Sequence, residues 1–157
     1  MPARRIPLVA FALWPGAAMA ALFGSLFAGT PPADLGARDG RLAPCPDKPN
    51  CVSSQSADDA HRVAPFPLRG GALSSMALLA RVVAAQPGAT IVVQRDDYLY
   101  ATFASKIMGF VDDVEFVIDA PRGVVDVRSA SRLGHSDLGV NRKRVEALRA
   151  AYAEGPA

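Results

Sequence analysis

The chain has 157 residues, of which 50% are apolar, with 17 basic and 15 acidic side chains. Arg4 and Arg5 carry two of the 17 basic charges, so the other 15 balance the 15 acidic ones, and the composition gives no support for nucleic-acid binding. After residue 30 roughly 120 residues remain, enough for one domain with a modest hydrophobic core.

The first 30 residues are predicted to be an apolar membrane anchor or a signal peptide. Arg4 and Arg5 precede an uncharged, mostly apolar run at residues 6–28, which is about as long as a membrane-spanning helix. Residues 18–20 read Ala-Met-Ala, a pattern typical of signal-peptide cleavage. A cleaved signal and a retained anchor both stay open. Both place the rest of the chain in the periplasm or facing it from the membrane.

The segment after the apolar run is interpreted as a linker at residues 31–41, because it combines prolines, glycines and charges. A single α+β domain is then predicted at residues 42–154.

The only two cysteines, Cys45 and Cys51, are separated by five residues that include two prolines. In an oxidising compartment such a pair favours a disulfide, which would stabilise the domain by roughly 2–3 kcal/mol on the chain-entropy model. A redox-active pair remains an alternative. A zinc site with His61 and His135 is another, although the spacing is not typical of zinc knuckles.

Residues 52–69 are polar and contain two prolines, so we expect an irregular arm there. Two glycines then precede a predicted helix at residues 72–86, which a Pro-Gly pair ends. Its apolar residues follow helical spacing and are predicted to face the core: Leu73, Met76, Leu79, Ala80 and Val83.

Alternating apolar and polar residues predict strands in the second half of the chain. The predicted strands are residues 90–94, 98–105, 111–118 and 124–129, and a last helix follows at 141–153. Short connections favour a two-layer α+β fold with a four-stranded, mainly antiparallel sheet and two helices on one face.

Residues 128–144 combine arginines, serines and an asparagine where the last strand ends and the last helix begins. A helix start binds anions, and arginine forks grip phosphate or carboxylate groups. Cations in the first helical turns also oppose the helix dipole, which a bound anion would relieve. The candidate ligand-binding residues are Arg128, Ser129, Ser131, Arg132, Ser136, Asp137, Asn141, Arg142 and Arg144.

An internal alternative uses acids of the neighbouring strand. Alternation places Asp113 and Glu115 on one face of the sheet and Asp112 on the other. Pairs between these acids and the arginines of residues 128–144 would form a salt-bridge network that needs no ligand. The ligand site and the structural network both remain open.

Catalytic and metal-binding hypotheses are weaker. Ser131, His135 and Asp137 have the residue types of a catalytic triad, but neighbours in one loop rarely converge. The acids at 112, 113 and 115 lack a further oxygen ligand nearby for a divalent metal. No catalytic residue, metal or cofactor is therefore predicted.

Three blocks resemble a known family. They are the cysteine block at residues 45–54, Gly-Phe-Val-Asp-Asp-Val-Glu-Phe at 109–116 and the block at 128–144. Together they resemble domain-of-unknown-function family 1499, found in bacteria and photosynthetic eukaryotes. The resemblance covers about residues 41–150 and implies an exported or membrane-anchored protein without an assigned reaction.

We expect an exported or membrane-anchored envelope domain that binds a polar or anionic ligand or acts as an accessory factor. The ligand would be a small molecule or a component of the envelope. One alternative is a hydrolase acting on an anionic envelope substrate, with Asp112, Asp113 or Glu115 as acid or base. Another is a structural protein-interaction module.

Overall fold

The computed structural model describes residues 27–155. The elements in chain order are β1 (Cys51–Ser53), β2 (Phe66–Pro67), α1 (Ala72–Ala84), β3 (Ala89–Gln94), β4 (Tyr98–Ala104), β5 (Val111–Asp119), β6 (Val124–Ser131) and α2 (Val140–Glu154). The mixed fold, its antiparallel sheet and its two helices are confirmed.

The sheet has six strands, so the predicted count of four is wrong. Strands β3 to β6 form the expected meander, and β1 and β2 both pair antiparallel with the free edge of β6. β2 and all of β1 except Cys51 lie in the segment predicted to be an irregular arm. Runs of three and two residues are too short to display alternation, and Pro67 is compatible with an edge position.

The main core lies between the helices and one face of the sheet. Leu99, Ala101 and Phe103 of β4 contribute to it, as their alternation predicts. The ring of Phe66 contacts Phe116 and Tyr152 edge to face, with centroids 5.6 Å apart in both pairs. These contacts join β2, β5 and α2 in one buried cluster.

One residue of the predicted α1 stripe does not reach this core. Leu73 is 63% exposed, whereas Met76, Leu79, Ala80 and Val83 are buried. Leu73 is the second residue of α1 and borders a surface depression beside Arg95 and Asp96, in the β3–β4 turn. The helical spacing therefore identifies four of the five core residues of α1 correctly and places the fifth, Leu73, wrongly.

The opposite face of the sheet is covered by residues 28–42, which include the predicted linker. Leu35, Ala37 and Leu42 pack against Tyr98 and Tyr100 of β4. Gly36 adopts a left-handed backbone with φ +107°, which a residue without a Cβ atom tolerates, and its N–H reaches the sheet.

Cys45 and Cys51 form a disulfide, as predicted. The bond ties the loop before β1 to the strand that pairs with β6. Nearly all of the predicted signal or anchor lies outside the described residues, so it stays a prediction. No helix within residues 27–155 is long and apolar enough to cross a membrane.

Candidate functional site

The candidate residues lie on β5, on β6, in the β6–α2 connection and at the start of α2. Those on the strands divide between the two faces of the sheet. Asp113 and Glu115 point to the face beneath residues 28–42, and Asp112 points to the helix face, as alternation predicts. The side chains on the covered face form what we call the ionic layer. Its members are Tyr98, Tyr100, Asp113, Glu115, Arg128 and Arg132.

Arg132 and Asp113 form the best-connected pair of the ionic layer. Nη2 of Arg132 donates to Oδ1 of Asp113 at 2.8 Å, and Nε donates to Oδ2 at 2.9 Å. The hydroxyl of Tyr100 donates to Oδ1 at 2.6 Å. Burial and this hydrogen bond raise the pKa of Tyr100 to about 12, and the hydrogen bonds to Asp113 raise the pKa of Arg132. Asp113 therefore has three charged or polar donors in place.

Glu115 and Arg128 form a looser pair. Oε1 of Glu115 accepts from the hydroxyl of Tyr98 at 2.7 Å and from the N–H of Gly36 at 2.8 Å. Nη1 of Arg128 lies 3.4 Å from Oε2 of Glu115. The buried Nε of Arg128 has no hydrogen-bond partner within residues 27–155. Burial, followed by the hydrogen bond to Glu115, raises the pKa of Tyr98.

On the helix face, Arg144 of α2 pairs with Asp112 of β5. Nη1 of the same guanidinium donates to Oδ1 of Asn141 at 2.7 Å, and its carbon lies 4.8 Å from the centre of the Phe103 ring. Arg144 thus connects α2 to β4 through Phe103 and to β5 through Asp112.

Asn141 is fully buried and connects the start of α2 to the sheet. Its Nδ2 donates to the carbonyl of Asn50 at 3.1 Å and to Oγ of Ser131 at 2.9 Å. Its Oδ1 accepts from the hydroxyl of Ser129. Every polar atom of this side chain is therefore used inside the domain.

Asp137 caps α2 from just outside the helix. Oδ1 accepts the N–H of Gly139 at 2.9 Å, and Oδ2 accepts the N–H of Asn141 at 2.7 Å. Burial alone would raise the pKa of Asp137, but these hydrogen bonds outweigh it and hold the pKa below its ordinary value. Ser136 accepts the N–H of Leu138 in the same loop.

Arg142 differs from the other three arginines because its partners are carbonyls. It donates to the backbone oxygens of Arg62 at 2.6 Å and Ala60 at 2.7 Å, which fastens the loop before β2 to α2. Arg128, Arg132 and Arg144 instead contact carboxylates. Three of the four arginines thus form the kind of ion pair that the salt-bridge alternative predicts.

A cleft opens where β6 ends. The β4–β5 turn, the last residues of β6 and residues 133–140 line a space of about 290 Å³. Its polar side chains are Ser105, Asp112, Ser131, Ser136 and Asp137, and its apolar walls include Phe110, Leu133, Leu138 and Val140. Four candidate residues thus share one cavity, counting Asp112 among them.

A larger depression of about 540 Å³ lies at the other end of β5, next to Arg41 and Arg122. Arg122 pairs with Asp119 and with the fully buried Asp126. The lining of this depression contains none of the candidate site residues predicted from the sequence.

The catalytic and metal hypotheses gain no geometric support. Asp137 is used by the helix N–H groups, Ser131 accepts from Asn141, and His135 is exposed. Within residues 27–155, no group of three or more histidines, cysteines or acids is arranged to hold a metal ion.

Several polar residues of the site escaped sequence reasoning. Tyr98 and Tyr100 supply hydroxyls to the ionic layer, and Asn50 supplies the carbonyl that Asn141 binds. Asp126 is another, with hydrogen bonds from Ser54 and Gln55. The alternation of β6 could have revealed Asp126, because it places this acid on the same face as Arg128.

These contacts define a small disulfide-bonded α+β domain with a buried ionic layer and a cleft at the end of β6. The family model described as a protein of unknown function (DUF1499) matches residues 41–152, and the chain belongs to this family. The expected family is thereby confirmed. A search of curated proteins found no match to the chain.

Proposed function

We propose that this protein is an exported, membrane-anchored envelope domain that binds a small polar ligand without transforming it. The disulfide between Cys45 and Cys51 supports export, because such bonds persist in oxidising compartments. The positive residues Arg4 and Arg5 before the apolar run at 6–28 support an anchor with its amino terminus in the cytoplasm.

The observation that carries the binding proposal is the cleft at the end of β6. It brings together polar groups from β5, β6 and the loop before α2, within apolar walls. A concave site with a few polar groups on apolar walls is the usual form of a small-molecule site.

The surrounding contacts indicate which ligand suits this cleft. Asp112 and Asp137 contribute carboxylates to its wall. The arginines nearest to it, Arg132 and Arg144, already contact Asp113 and Asp112. An anion would have to separate one of these pairs, leaving a carboxylate without its partner. The sequence left a polar or an anionic ligand open. We therefore propose a polar ligand with hydroxyl or amino donors and an apolar part, in preference to an anion.

A thermal-shift experiment on the purified full chain tests this proposal. Butyl glucoside and butylamine serve as probes with donors, and inorganic phosphate and sulfate serve as anion probes. A ligand that binds the folded state raises the melting temperature. At a ligand concentration a hundredfold above Kd, the free energy of unfolding increases by about 2.7 kcal/mol. We expect a shift with at least one donor probe.

Two variants of α2 locate the binding site. Val140→Trp places a large ring in the cleft, and Ala150→Trp places the same ring at an exposed position of the same helix. The donor-probe shift should vanish in Val140→Trp and persist in Ala150→Trp. A phosphate or sulfate shift that survives Val140→Trp, with no donor-probe shift, would instead assign binding to the arginines.

A further inference from the structure

Exposed apolar side chains are concentrated at one end of the domain. Within residues 27–155, eight large apolar side chains are exposed. Six of the eight form what we call the apolar rim: Phe27, Ile107, Met108, Leu133, Leu138 and Val140.

Two observations show that the rim is one surface. Leu133, Leu138 and Val140 line the cleft together with Ser105 and Phe110, which bracket the turn that carries Ile107 and Met108. The ring of Phe27 lies 5.3 Å from the ring of Phe110. Scattered apolar residues are common on protein surfaces, whereas a cluster of this kind indicates a contact surface.

Two side chains of the rim project almost completely into solvent. Ile107 is 96% exposed and Leu138 is 86% exposed. Leu138 also has a left-handed backbone, with φ +55°, which is unfavourable for a leucine. Neither side chain gains compensating burial within the described domain, so an external apolar environment would stabilise both.

The position of the rim identifies that environment. Phe27 belongs to the rim and lies near the end of the apolar run at residues 6–28. The loops at residues 105–110 and 132–139 carry four of the six rim residues. They contain Lys106, Arg132 and His135 and a single acid, Asp137, whose carboxylate accepts two backbone N–H groups at the start of α2. Apolar tips flanked by a cation suit the interface of a bilayer with anionic headgroups.

We propose that the apolar rim inserts into the interface of the lipid bilayer that holds residues 6–28. This inference rests on the anchoring included in the proposed function. Ile107 and Leu138 lie below the headgroups, and Lys106 lies among them. The mouth of the cleft then faces the membrane surface, so its ligand is reached from the lipid side.

Tryptophan fluorescence in vesicles tests the contact. Trp14 is the single tryptophan, so Trp14→Phe gives a silent background in the full chain. Ile107→Trp reports on the rim. Leu73→Trp is the matched control, because Leu73 is also exposed but borders the β3–β4 turn, at the opposite end of β4. The seven residues of β4 separate the two positions by roughly 20 Å.

The proteins are reconstituted in phosphatidylethanolamine and phosphatidylglycerol vesicles with brominated acyl chains, and flotation measures vesicle association. We expect at least a twofold loss of fluorescence for Ile107→Trp and almost none for Leu73→Trp. Equal quenching at both positions, or none at residue 107 in floated protein, overturns the rim contact while leaving the anchor intact. A chain that does not float with vesicles overturns the anchor and the rim contact together.

Discussion

Each of the three acids of β5 at 112, 113 and 115 has an arginine partner, which lies on β6, directly after β6 or on α2. Asp113 has a bidentate contact from Arg132, and Asp112 has Arg144. Such pairs do not need to add net stability, because desolvation offsets much of their attraction. Removing one partner is costly, since the remaining charge stays buried. The arginines of residues 128–144 can thus be essential to the domain without touching a ligand.

Arg132 and Arg142 should therefore respond differently to replacement. Arg132→Ala strands the buried carboxylate of Asp113 and is expected to lower the free energy of unfolding by roughly 3–5 kcal/mol. Arg142→Ala removes hydrogen bonds to two carbonyls of an exposed loop and should cost about 1–2 kcal/mol. Urea unfolding of the full chain measures both values. A small and equal loss in both variants would show that the arginines are not structural.

At the scale of elements, the sequence predicts those helices and strands that are long enough to show a regular spacing of apolar residues. Strands β3 to β6 and both helices lie close to their predicted positions because each is long enough to show its spacing. β1 and β2 were missed because they depend on pairing with β6 and not on a local pattern. The acid–arginine pairs could be predicted as an alternative to a ligand site, because the alternation along a strand determines to which face of the sheet each side chain points.

The remaining contacts of the site depend on tertiary structure. The N–H of Gly36 reaches Glu115 only because residues 28–42 fold back over the sheet. Asn50 meets Asn141 across 91 positions of sequence. The cleft likewise requires three separate segments to meet. No local spacing in the chain signals these contacts.

The start of α2 yields a prediction with a defined pH dependence. Asp137→Ala removes the acceptor for two backbone N–H groups and should cost about 0.5–2 kcal/mol at neutral pH. The pKa of Asp137 is lowered in the folded protein, so its contribution is full above the ordinary value of 3.8 and is lost as pH falls through the folded pKa.

Urea unfolding at neutral pH and below about pH 3.8 measures this dependence. The difference between wild type and Asp137→Ala should shrink on acidification. Ser136→Ala is the control, because it removes a hydrogen bond in the same loop but no titrating group. A difference for Asp137→Ala that is independent of pH would contradict the capping role.

At the scale of the whole molecule, the cleft and the apolar rim lie at the same end of the domain. Phe27, where the described chain begins, contacts Phe110 at the cleft wall. Residues 28–42 then cross the ionic layer and hold this end against the sheet. In the proposed function, the paired charges maintain the fold and the cleft at the end of β6 binds the ligand.

Backbone amide chemical shifts test this central claim most directly. The ¹⁵N-labelled full chain in lipid nanodiscs is titrated with butyl glucoside and butylamine, and separately with phosphate. We predict that at least one donor probe shifts amides of residues 105–111 and 131–140, while Gly36 and residues around Arg122 stay unchanged. Shifts confined to Gly36 and the ionic layer, shifts around Arg41 and Arg122, or no shifts with either donor probe would contradict the account.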